Sequence, residues 1–142
     1  MITIENRIAT IAKGLGLNYY FGDWNRINEA GDTGRCKFPL VAYLLPPSGV
    51  VNFDGPGVRE TENGVLAFID VTEFDFQADA NNEIVQAMKE KMISFIKAIN
   101  LSGDFKPIGG DLRYEVLYDR LDFAVTGVTV SVGLKETVGK CV

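Results

Sequence analysis

The chain has 142 residues, 46% hydrophobic and 23% charged, a balance that excludes a disordered polymer and fits one globular domain. Its net charge is -5, with 14 basic residues scattered among 19 acidic ones and no basic run, which argues against a surface built to hold nucleic-acid phosphates. At this length roughly two-thirds of the unfolded surface can be buried, so a core forms without metal or disulfide staples.

The first residues, Met1-Ile2-Thr3-Ile4-Glu5-Asn6-Arg7, carry no charged-then-apolar signal pattern, and no apolar run approaches a membrane span. A protein made in the cytosol, and not exported by that route, is the expectation. A helix is predicted over 3–13, where Ile4, Ile8, Ile11 and Leu15 recur at helical spacing. Thr3 caps it, and Gly14 and Gly16 end it.

A long connection over 17–37 follows, holding Tyr19, Tyr20, Phe21 and Trp24 among Gly22, Gly31 and Gly34. The apolar run over 38–45 reads as a strand behind Pro39 and stopped by Pro46-Pro47. A second long connection, over 46–64, carries Val50, Val51 and Phe53 between Pro-Pro and Gly-Pro-Gly. Loops beyond about 12–15 residues are uncommon in compact domains and tend to be functional or mobile. The apolar side chains in these two either fold back over their own core or pack against a neighbouring subunit.

A strand is predicted over 65–76, apolar on both faces at first and then alternating Phe74 and Phe76 with Glu73 and Asp75. The strongest helical pattern runs over 82–100, with Ile84, Val85, Met88, Met92, Phe95, Ile96 and Ile99 on one face. Asp79 or Asn81 caps its start, and Asn100-Leu101-Ser102-Gly103 is its stop. Burying those side chains contributes on the order of 10–20 kcal/mol before entropy is subtracted. Strands over 113–118 and 128–134 complete the order. In the last, Val128, Val130, Val132 and Leu134 face one way, and Thr129, Ser131 and Gly133 the other.

The expected fold is therefore α+β: a single domain over 1–142, with an antiparallel or mixed sheet of about four strands. Two helices pack on one face, in α-β-β-α-β-β order.

The chain has no histidine, which excludes Ser-His-Asp and Cys-His arrangements, H-E-x-x-H zinc sites and most neutral-pH proton shuttles. Ser48, Ser94, Ser102 and Ser131 lie in no G-x-S-x-G elbow, and Gly14-Leu15-Gly16 follows a helix instead of a strand, so it is a helix stop and not a phosphate loop. Asp70, Glu73, Asp75, Asp79 and Glu83 cluster as carboxylates that could hold a metal or run glycoside hydrolysis. Their placement on a wet strand face and at a helix start favours a structural role. Asn100-Leu101-Ser102 matches a glycosylation triplet, without a secretion signal to give it meaning. Tyr19, Tyr20 and Trp24 beside Arg26 could stack bases, but Asp23 and Glu29 make a poor electrostatic funnel. Cys36 and Cys141, far apart and outside any C-x-x-C, read as free thiols. No catalytic, cofactor or metal residue is assigned.

The element order, with Phe38-Pro39-Leu40-Val41-Ala42-Tyr43, the strand ending Glu73-Phe74-Asp75-Phe76, the helix from Asn82 and the closing segment Asp122-Phe123-Ala124-Val125-Thr126-Gly127-Val128-Thr129-Val130-Ser131-Val132, resembles the small tail terminator and tail completion proteins of long-tailed bacteriophages. The 46–64 connection is longer than such proteins need. The resemblance implies a non-enzymatic virion component, a subunit of a homo-oligomeric ring, commonly a hexamer. Such a ring caps the tail tube and joins it to the neck, and DNA passes through its lumen without specific binding. It carries no contact residues over. From the loops themselves, the expected subunit-interface residues are Tyr19, Tyr20, Phe21, Trp24, Val50, Val51 and Phe53. Two other readings stand beside it: a small cytosolic ligand- or protein-binding module using the aromatic loop, and an enzyme using the acidic cluster.

Overall fold

The computed structural model describes residues 2–32, 34, 37–72, 79–120 and 125–139. Its elements in chain order are α1 (Ile4–Gly14), β1 (Asn18–Gly22), α2 (Trp24–Asp32), β2 (Leu40–Asn52), β3 (Arg59–Val71), α3 (Asp79–Ser102), β4 (Tyr114–Arg120) and β5 (Val125–Lys135). The strands form one mixed sheet in the order β1-β2-β3-β5-β4, with β1 parallel to β2 and the other pairs antiparallel. The fold is α+β, as expected, but the described residues form five strands and three helices instead of four and two.

The difference comes from the segment 17–37, expected as a loop. It contains β1 and α2, the crossover that two parallel neighbours require. Asp23 starts the helix: its Oδ1 accepts from the Arg26 N–H at 2.8 Å and its carbonyl from the Ile27 N–H at 3.0 Å. The two helices expected to share one face, α1 and α3, do so, and the additional helix lies on the other. α1 and α3 cover one side of the sheet, burying Ile4, Ile8, Val85, Met88, Met92, Phe95 and Ile99 against Val41, Tyr43, Leu66, Phe68, Val128, Val130, Val132 and Leu134. α2 lies on the other side, where Ile27 and Ala30 pack on Leu40, Ala42, Leu44, Ala67, Ile69 and Val125.

The main helix and the last strand follow their periodicity. Of the apolar residues assigned to one face of α3, five are buried and Ile84 and Ile96 are half-buried against the same core. Phe95 meets Phe68 edge-on, with ring centroids 5.7 Å apart. α1 begins at a reciprocal cap in which Thr3 and Asn6 exchange side-chain-to-backbone hydrogen bonds. The Arg7 guanidinium pairs with Asp104 at 2.7 Å, tying α1 to the segment that leaves α3.

Pro46-Pro47 does not stop β2, which runs on to Asn52. Its pairing with β3 shifts from Leu44–Val65 to Ser48–Asn63, so residues 45–47 stand opposite Gly64 alone. The prolines sit on that bulge, and β1 ends opposite Leu44, so their missing N–H groups leave no ladder bond unmade. β3 likewise starts earlier than expected, at Arg59. The connection expected over 46–64 is thus mostly hairpin, with only 53–58 as its turn. The alternation expected at Glu73-Phe74-Asp75-Phe76, and both cysteines, Cys36 and Cys141, lie outside the described residues.

Candidate assembly surface on the β2–β3 hairpin

Past the bulge, among the described residues, residues 48–52 of β2 pair with β3 on one side only, because β1 ends opposite Leu44. This stretch is an open strand edge, whose unpaired backbone groups are a template for another chain. The turn closes with the Asp54 N–H donating to Asn52 Oδ1 at 2.7 Å, and Gly55 adopts a φ of 86° that only glycine takes without strain. Val50 is 64% exposed, Val51 46% and Phe53 77%, and none joins a core cluster.

The strand alternation sorts charge between the two faces of this hairpin. Glu62 stands opposite Leu134, which is buried in the core beneath α3, so Glu62 and its i−2 neighbour Glu60 lie on the α1/α3 side. Arg59 and Thr61 therefore lie on the opposite side, with Lys135 opposite Thr61. Lys106 joins them through the segment after α3, whose Lys106 N–H donates to the Lys135 carbonyl at 2.8 Å. Arg59, Lys106 and Lys135 line a cavity of about 370 Å³ with Val50, Asn52, Thr61 and Glu136. Glu136 is buried, and its Oε1 accepts from the Glu60 N–H at 3.0 Å. The Lys106 ammonium is held below its ordinary pKa, chiefly by the charge of Lys135. No carboxylate among the described residues forms an ion pair with Arg59, Lys106 or Lys135.

On the acidic side two tyrosines meet two carboxylates. The Tyr19 hydroxyl donates to Glu5 Oε1 at 2.9 Å and the Tyr43 hydroxyl to Glu62 Oε1 at 2.5 Å. Burial first, then the bonded carboxylate, pushes both tyrosines well above their ordinary pKa, so they stay neutral. Phe21 leans on the Tyr43 ring, with centroids 5.5 Å apart.

The residues expected at an interface divide. Tyr19 packs half-buried against the α1/α3 core, and Tyr20 and Trp24 against the cluster around α2, so these three fold back on their own domain. Phe21, Val50, Val51 and Phe53 remain at the surface. The cations Arg59, Lys106 and Lys135 were not singled out in the sequence. Only the split at Arg59-Glu60-Thr61-Glu62 was open to a strand reading, in which Arg59 and the two glutamates fall on opposite faces. In the carboxylate cluster, Glu73 and Asp75 lie outside the described residues, and Asp70 Oδ1 accepts from the Val71 N–H at 2.8 Å. Among the described residues no group of three His, Cys, Asp or Glu is placed to hold a metal ion, and no helix is long and apolar enough to cross a membrane.

Comparison with protein-family models, with curated proteins and with solved structures finds no match.

Proposed function

We propose that the protein is a non-enzymatic structural subunit that works by assembling with copies of itself and with protein partners. Its surroundings would be those of a tail terminator: a ring in the virion, made in the host cytoplasm, capping the tail tube and meeting the neck. DNA passes through such a lumen without specific binding, which suits a chain of net charge -5. The observation that carries the proposal is the group of exposed apolar side chains Val50 and Val51, on a strand edge that is open among the described residues, and Phe53 just past its end. An unprotected edge of that kind is a liability in a lone domain and a contact in an assembly. A ligand-gripping role for the aromatic segment draws less support, because Tyr19, Tyr20 and Trp24 are packed against the domain's own cores.

The test is light scattering on the purified protein across a wide concentration range, alone and with tail-tube and neck proteins. A closed oligomer of defined mass, alone or with those partners, is the expected result. A monomer under all these conditions contradicts the proposal.

A further inference from the structure

The hairpin has two faces of opposite sign, and that restricts how copies can meet. One face gathers Arg59, Lys106 and Lys135 around a cavity of about 370 Å³. The other gathers Glu60 and Glu62, and both these carboxylates and Glu5 act electrostatically on the Tyr43 hydroxyl. The chain's net charge is -5, so copies repel one another on average and a contact between them needs patches of opposite sign such as these two.

We infer that the cationic cavity of one copy receives the Glu60–Glu62 face of the next, so that the subunits associate head to tail. This rests on the self-assembly proposed above. An interface that uses two different patches is heterologous, and repeated it generates a ring or an open filament, not a two-fold dimer. Opposite charges on opposite faces of one strand pair are suited to that repetition, because each copy is at once donor and acceptor of the same contact. Val50 lies on the basic face beside the cavity, and Val51, opposite Glu60, on the acidic one. Each charged patch therefore has an exposed apolar neighbour to exclude water. A phosphodiester strand is a poorer occupant: a nucleic-acid groove tracks its backbone with many cations, and here three sit on an otherwise acidic chain.

Charge reversal tests this in sedimentation experiments. Reversing the basic face (Arg59→Glu with Lys135→Glu) or the acidic face (Glu60→Lys with Glu62→Lys) weakens association by about 100-fold or more, the scale of close charge pairs across interfaces. A 1:1 mixture of the two variants restores it, because each now complements the other, and the restored species contains both in equal number. Circular dichroism establishes that each variant is folded. Arg59 and Lys135 are exposed, so their reversal leaves the core intact even where loss of the Tyr43–Glu62 bond destabilises the other variant. In that event the basic-face variant decides, together with a fall in wild-type association as salt rises. Wild-type protein that assembles while the basic-face variant assembles equally well overturns the head-to-tail contact and leaves self-assembly standing. Wild-type protein that never self-associates removes both. Duplex DNA bound at the cavity, lost in the basic-face variant while self-association is unchanged, also overturns it.

Discussion

The Tyr43 hydroxyl reaches Glu62 at 2.5 Å beside the bulge where residues 45–47 stand opposite Gly64. The ring arrives there by lying over Gly64: a methyl group at that position would stand 2.1 Å from Cε1 and 2.8 Å from Cζ of Tyr43. The ring is fully buried and has no room to retreat. Glycine at 64 is thus required by the tyrosine and not by the backbone. Gly64→Ala should destabilise the protein by about 1–3 kcal/mol, the usual penalty of overpacking. Urea unfolding checks this: the midpoint falls and the slope stays unchanged.

The neutral tyrosines give stability a pH dependence with a definite sign. Tyr19 and Tyr43 titrate above their ordinary value of 10.0 in the folded protein, because burial and a bonded carboxylate disfavour the phenolate. The unfolded chain loses these protons first, so above that pH it binds fewer protons than the native state. Stability is then fully present below pH 10 and falls as pH rises further. Urea midpoints measured from pH 8 to pH 11.5 should drop steeply in the wild type. The drop should be shallower in a Tyr19→Phe, Tyr43→Phe double variant, which lacks both protons.

Asn100 holds the chain that leaves α3. Its side chain donates to the Ile108 carbonyl at 3.0 Å and accepts from the Ile108 N–H at 2.7 Å, a paired contact that fixes the loop before β4. Asn100→Ala removes both bonds, so a loss of about 1–3 kcal/mol is expected. Hydrogen exchange locates the effect: the Ile108 amide should lose protection while amides in β3 and β5 keep theirs.

Thr3 is the cap of α1, where its hydroxyl accepts the Asn6 N–H at 3.1 Å and its own N–H donates to Asn6 Oδ1 at 3.2 Å. Thr3→Ala should cost about 1 kcal/mol and fray only the first turn. Thr3→Ser, which keeps the oxygen, should remain near wild type in a thermal melt.

Much of this fold is legible in the sequence where burial is one-sided. Val128, Val130, Val132 and Leu134 alternate because only one face of β5 meets α3, and Val85, Met88, Met92, Phe95 and Ile99 recur because α3 buries one stripe. β1 hides from such a reading because it is five residues long and splits its tyrosines, Tyr19 toward one core and Tyr20 toward the other. Among the residues of α2 whose burial is described only Ile27 and Ala30 are buried, too few for periodicity to announce a helix. The prolines of β2 mislead for a different reason. Their cost in a ladder vanishes at a bulge on an open edge, and neither the bulge nor the edge exists until β3 pairs. At the candidate surface, Val50, Val51 and Phe53 could be picked out as apolar residues in a polar stretch. The cation cluster could not, because Lys106 reaches Arg59 and Lys135 only through the bridge of Phe105 to Glu136.

The most direct measurement is sedimentation velocity on the wild type beside a variant in which Val50, Val51 and Phe53 are all replaced by Asp. These side chains are 64%, 46% and 77% exposed, so their loss leaves the folded domain intact. Assembly through the hairpin predicts a defined oligomer for the wild type and a folded monomer for the variant. A variant that sediments as the same oligomer as the wild type, or a wild type that remains a monomer alone and with tail proteins, contradicts it.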